Sequence, residues 1–211
     1  MKRVVGILAL ILLASCAGFS ADNASIIYVE GDVNMNGSPA AFGDGVQAGA
    51  LVTTGPGSVC QSVFNSKNII HMAEGTVLRF DPKALSRGAT LQKGAIAMVL
   101  RNLQAIQGSD LRFAIRTSTA VAGVRGTCFF VSVEDENATY ICSCNGAIYI
   151  EGDGGQFTQN IAAPHHREFR ITRTGTSISV NAAPLLYHTD GVVEAVAAKI
   201  GETVDWTKID R

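Results

Sequence analysis

Residues 126–133 read Gly-Thr-Cys-Phe-Phe-Val-Ser-Val. A turn-permissive glycine stands before a run of β-branched and aromatic side chains, the composition of a half-buried strand. The arrangement recurs. Gly31 precedes Asp-Val-Asn-Met, Gly75 precedes Thr-Val-Leu-Arg-Phe, Gly94 precedes Ala-Ile-Ala-Met-Val-Leu, and Gly146 precedes Ala-Ile-Tyr-Ile. Each segment predicts a strand of ordinary length with a turn in front of it. Thr174-Gly175, between Glu-Phe-Arg-Ile-Thr and Thr-Ser-Ile-Ser-Val, predicts one more hairpin. The glycine spacings are uneven, which argues against a strict repeat array. The expected fold is all-β over roughly 26–180, an irregular β-solenoid or a sandwich of short strands.

The C-terminal part changes period. Val192, Val193, Val196 and Ile200 recur at helical spacing behind Thr189-Asp190, which offers N-cap candidates, and Gly201 follows as a C-cap. One short amphipathic helix, about 190–200, is expected to lay its valines on the β body. Trp206, the single tryptophan, reads as an apolar clip onto the domain surface.

The first residues carry an address. Lys2 and Arg3 precede an apolar run from Val4 to Leu13, and small residues Ala14 and Ser15 lead to Cys16. Positive, apolar and small segments in that order make a secretory signal. The run is too short for a hydrocarbon core that needs roughly 20 apolar residues. Leu13-Ala14-Ser15-Cys16 resembles the bacterial lipobox, which implies cleavage before Cys16 and lipid on its sulfur; cleavage after Ala17 is the alternative. The expected division is signal 1–15, tether 16–25, β domain 26–151, and a β-hairpin extension with the C-terminal helix over 152–211. The location that follows is the bacterial cell envelope, on the periplasmic or surface face of a membrane.

Charge narrows the partners. Lys2 and Arg3 leave with the signal, so 17 basic residues fall to 15 against 18 acidic ones, a net charge of −3. No basic run exceeds a pair, so nucleic acid is not an expected partner, because phosphate binding needs a clustered positive footprint. An envelope protein or glycan is expected instead, with the membrane reached through the lipid.

Six segments then fall into a recognisable order. Gly-Asp-Val stands at 31–33, Gly43-Asp44 with Val46 follows, Leu-Val-Thr-Thr-Gly-Pro-Gly-Ser occupies 51–58, and an apolar strand pair ends in Leu78-Arg79-Phe80. Leu-Gln-Lys-Gly-Ala-Ile fills 91–96, and Ala-Val-Ala-Gly-Val-Arg-Gly-Thr at 120–127 runs into Cys-Phe-Phe-Val. This order resembles the FecR domain, a periplasmic β module, over about 27–151. The resemblance implies an all-β domain used in sensing and protein contact. Well-known members join it through a transmembrane helix to a cytoplasmic anti-sigma segment. A lipobox stands in place of that helix here, so the iron-transport signalling role is not expected to carry over. Arg125, between Gly123 and Gly126, reads either as a side chain offered to a partner at a tight turn or as a structural arginine beside one.

The unusual chemistry lies toward the end of the β region. Cys16 aside, Cys60, Cys128, Cys142 and Cys144 remain. Exported thiols can pair, and an even number permits two bridges of unspecified connectivity. Asn145-Gly146 reads as a hairpin turn, which would place Cys142 and Cys144 on one face with Tyr140, Ala147 and Tyr149. Adjacent same-face positions are about 6.6 Å apart along a strand, near the limit of disulfide geometry. Two such thiolates can converge on one soft metal ion, zinc or iron, with His165, His166 or His188 completing the shell. Consecutive His165 and His166 would point in opposite directions, so one of them is expected to face the thiols. His71 reads as a partly buried strand residue.

Catalysis has little support. No Gly-x-Ser-x-Gly, His-Glu-x-x-His, P-loop or dinucleotide fingerprint occurs. The expectation is a non-enzymatic binding or sensing lipoprotein, or alternatively one that holds or senses a metal. A thiol oxidoreductase at Cys142 and Cys144 is the nearest enzymatic possibility.

Overall fold

Three long strands carry the architecture, and their length is the first departure from expectation. In the computed structural model, which describes residues 24–80, 88–101 and 113–209, Ala89–Leu100, Ala120–Asp135 and Ala138–Gly152 are each continuous. Arg125 and Gly126 are described through their backbone alone. The signal, Cys16 and most of the tether lie outside the described residues.

In chain order the strands begin with β1 (Ala24–Glu30), β2 (Val33–Met35), β3 (Ser38–Pro39), β4 (Gly45–Val46) and β5 (Leu51–Thr54). Next come β6 (Val59–Phe64), β7 (Asn68–Met72), β8 (Val77–Phe80), β9 (Ala89–Leu100) and β10 (Phe113–Arg116). The series ends with β11 (Ala120–Asp135), β12 (Ala138–Gly152), β13 (Thr158–Ala163), β14 (Arg167–Thr174) and β15 (Ser177–Ala182), before helix α1 (Asp190–Ala198). All 15 strands belong to one sheet. The sheet closes on itself where β10 pairs with both β9 and β11 and β11 pairs with β9. The fold is therefore all-β with one short C-terminal helix, as expected, and it is not a clean solenoid.

The glycines explain the long strands. Gly94 and Gly146 act inside strands as irregularities and not in front of them as turns. Gly146 has φ 123°, and a Cβ there would stand 2.4 Å from Thr127 Oγ1. Asn145-Gly146 is thus no hairpin: β12 runs straight through it. What changes at that point is the partner, because residues 138–143 pair with β14 and residues 146–151 with β13. The opposing register of β11 also shifts between Arg125 and Cys128 and again between Cys128 and Phe129. The turn expected around Gly123 and Gly126 is likewise a bulge within β11, with Arg125 paired to Ala147.

Strand alternation then builds two cores. Ile70, Ile96, Met98, Phe129, Val131, Ile141 and Ile148 face the larger one, where Phe64 stacks on Phe113 at 5.1 Å. Their neighbours Ile69, Ala97, Val99, Cys128, Phe130, Tyr140, Cys142 and Cys144 face a smaller one on the other side. Strands buried on both faces need apolar residues at consecutive positions, which is why these segments lack a polar alternation. The second face is covered by α1, through Val193, Val196 and Ala197 against β7 and β9. Val192 stays exposed. Trp206 and Ile200 pack at the margin of this smaller core, so the tail clips onto the sheet as the sequence predicts.

Candidate metal centre

Cys142 and Cys144 lie on the first half of β12, before its irregularity, with side chains directed into the smaller core. The parity change at Asn145-Gly146 separates them from Ile148 and Ile150, which face the larger core. The sequence reading assigned the faces correctly but attributed the change to a turn. Both thiols are fully buried, and their sulfurs are 3.6 Å apart.

Two histidines complete the group. His166 precedes β14, and its backbone N–H donates to the Cys144 carbonyl at 2.9 Å. Its Nδ1 stands 3.3 Å from Cys142 Sγ. His188 precedes α1, stacks on Phe130 with ring centroids 4.3 Å apart, and places Nε2 3.3 Å from Cys144 Sγ. One ligand atom from each of these four residues lies within 4.8 Å of the others.

The outward ring nitrogens are also engaged. His188 Nδ1 lies 2.9 Å from the Leu186 carbonyl, which only accepts, so that nitrogen carries the proton. His166 Nε2 lies 2.7 Å from Asp190 Oδ1. In the neutral rings the inward nitrogens are therefore bare, and both aim at the thiols. Asp190, read from sequence only as a capping candidate, is the residue that orients His166.

His165 stands apart. It is half exposed and reaches Asp190 at 3.1 Å rather than the sulfurs. Consecutive histidines do not diverge here, because His166 adopts φ 24° and breaks the extended alternation. Trp206 closes over both rings, with centroids 4.9 Å from His165 and 5.3 Å from His166, and donates from Nε1 to Glu194.

Electrostatics set the two thiols against each other. The hydrogen bond from Cys144 pulls the Cys142 thiol well below its ordinary range, over the opposition of burial and with help from His166 and His188. Burial, then the neighbouring Cys142, pushes Cys144 up. Burial disfavours the imidazolium of His166, but its bonds to Cys142 and Asp190 outweigh that and raise it.

The other candidates fall elsewhere. Cys60 belongs to the larger core and Cys128 to the smaller, so the sheet separates Cys60 from Cys142 and Cys144. All four buried cysteines are free thiols. Burial pushes Cys60 up to about 12 and Cys128 up to about 11, the latter against the pull of Arg101. Such thiols are inert packing residues. His71 is half-buried in β7 with Nδ1 3.0 Å from Gln61 Nε2, as expected. The side chain of Arg125 is outside the described residues.

The family model described as FecR protein matches residues 50–149. This chain carries a FecR domain. The matched region begins just before β5 and ends within β12, so it contains Cys142 and Cys144 but neither His166 nor His188. The chain is also similar to two crystal structures, at 2.50 and 1.65 Å resolution, of a candidate anti-sigma factor from Parabacteroides distasonis ATCC 8503. Each matches at 16% identity and a TM-score of 0.48, over 63% of this chain and 59% of that one. The chain thus spans about three-fifths of that protein's length. A comparison with curated proteins found no match. Among the described residues, no helix is long and apolar enough to cross a membrane.

Proposed function

We propose that this chain is a non-enzymatic sensing or binding protein of the bacterial cell envelope, anchored by lipid on Cys16, whose FecR domain contacts a protein partner. The observation that carries the reading is the FecR match over residues 50–149, in a chain that opens with a secretory signal and a lipobox. The family places such domains at the envelope in regulatory roles. The signal at 1–15 supplies export, and the tether between Cys16 and β1 supplies reach from the membrane. An acyl chain adds roughly 0.8 kcal/mol of membrane affinity per buried methylene, so several chains hold a protein almost permanently.

Two measurements test it. Replacing Cys16 with Ser should move the chain from the membrane to the soluble envelope fraction and abolish labelling by a fatty-acid probe. Retention on the membrane without the thiol would remove the anchor from the reading. Cross-linking of the acylated chain in intact cells should then capture a defined envelope protein. A glycan-only adduct would replace the protein partner with a carbohydrate one.

A further inference from the structure

We propose that Cys142, Cys144, His166 and His188 hold one zinc ion in a closed four-coordinate site that clasps the C-terminal segment onto the sheet. This goes beyond the FecR domain, because two of the four ligands lie outside it.

The distances carry the first part of the inference. Two sulfurs bound to one zinc at about 2.3 Å with tetrahedral angles lie about 3.8 Å apart, and a sulfur and a nitrogen about 3.5 Å apart. The observed separations are 3.6 Å for the sulfurs and 3.3 Å for each sulfur–nitrogen pair. Three of the six edges of a zinc tetrahedron are therefore already close to their required lengths, and all four atoms lie within 4.8 Å of one another.

The second shell is the next support. A zinc-bound histidine ordinarily gives its other ring N–H to a carboxylate or a backbone carbonyl, which fixes the tautomer and the ring plane. His166 gives its outer nitrogen to Asp190, and His188 gives its own to Leu186. Backbone strain falls at the same place: His166 has φ 24° and Tyr187, next to His188, has φ 66°. A bulky side chain is disfavoured in that region, and such strain collects at functional sites and ligand clamps. His165 is no ligand; it is an outer partner of Asp190.

Charge closes the argument. Zn2+ with two thiolates and two neutral imidazoles is electrically neutral, which suits a buried site. On binding, any protons on the two sulfurs and on the inward imidazole nitrogens leave to solvent, and two Zn–S and two Zn–N bonds form. Four protein ligands leave no open position, so the role is structural. The ligands come from β12, from the residue before β14 and from His188, two residues ahead of α1, so one ion ties three separate stretches together.

The test uses the full chain purified without oxygen from membranes in detergent, stripped with chelator and titrated with Co2+. The expected result is saturation at one equivalent, with thiolate-to-cobalt charge transfer and intense visible bands of tetrahedral cobalt, all displaced by one equivalent of Zn2+. Cys142→Ser and His188→Ala should lose the tetrahedral spectrum. Asp190→Asn should keep it while weakening zinc binding about 10–100-fold. His165→Ala should change neither. The proposal is overturned if the wild-type chain gives no tetrahedral spectrum with its thiols reduced, if the native chain contains a Cys142–Cys144 disulfide, or if Cys142→Ser binds cobalt unchanged. The wild-type titration stands whether or not a variant folds.

Discussion

Gly146 occupies the point where β12 passes from β14 to β13, and it does so at φ 123° against the Thr127 side chain, whose Oγ1 donates to the Asn145 carbonyl at 2.6 Å. An alanine there would meet both a disfavoured backbone angle and a collision with Thr127. Gly146→Ala is expected to destabilise the chain by about 1–3 kcal/mol, measured as a lower denaturation midpoint with an unchanged slope. An unaltered midpoint would mean that the strand can shift its register freely at this position. The same residue shows how far single positions were legible. Gly146 was visible as a special backbone site, but a glycine before a strand and a glycine at a bulge look alike until the pairing strand is known. Cys142, Cys144, His166 and His188 were legible by chemical type. Their selection over His165 was not, because it depends on a φ of 24° that no residue pattern announces. Asp190 escaped notice for another reason: a helix-start carboxylate already had an adequate explanation.

Between elements, the best-formed ion pair joins β11 to β14. Arg170 gives Nε and one Nη to the two oxygens of Glu134, each at 2.7 Å, and the Tyr187 hydroxyl adds a third bond at 2.6 Å. The Arg170 bonds, with help from Tyr187, outweigh burial and hold the Glu134 carboxyl below its ordinary 4.5. A carboxyl lowered on folding contributes in full above the unfolded value and loses that contribution as pH falls through the folded one. Stability should therefore decline as pH drops below about 4.5, and Glu134→Gln should flatten that decline. At neutral pH the variant is expected to lose about 1 kcal/mol, a modest figure because solvent reaches Arg170. Denaturant titrations of both chains across the acid range check it; parallel curves would remove Glu134 from the acid response. At this scale the sequence was most informative about element type and least about length. The Thr174-Gly175 hairpin and helix α1 came out as expected, since each is fixed by local turn chemistry or period. β9, β11 and β12 ran longer than expected because burial on both faces erases the alternation from which strand ends are judged.

For the whole molecule, the question is what keeps residues 183–209 on the sheet. Helix α1 has nine residues, short of the roughly 12–15 that an isolated helix needs for even marginal stability. Its docking rests on Val193 and Val196, whose burial is worth about 1.5–3 kcal/mol each. Polar fastenings add to this: Asn145 Nδ2 donates to the carbonyls of Asp205 and Lys208, and Glu202 pairs with Lys67 at 2.6 Å. A structural zinc site contributes on the order of 10–16 kcal/mol of apparent binding free energy, more than the two valines together. If the Cys–His cluster holds zinc, the ion rather than the helix governs tail docking. Chelation should then release the tail and leave the FecR domain folded. Trp206 reports this directly, being the only tryptophan and resting against His165 and His166. Its emission is expected to shift to the red when zinc is removed and to return when zinc is restored. Trypsin cleavage after the exposed Lys199 should accelerate over the same range, while the strand content measured by circular dichroism stays constant. A tail that keeps its emission and its protease resistance after complete zinc removal would show that packing and the Asn145 and Glu202 contacts hold it unaided.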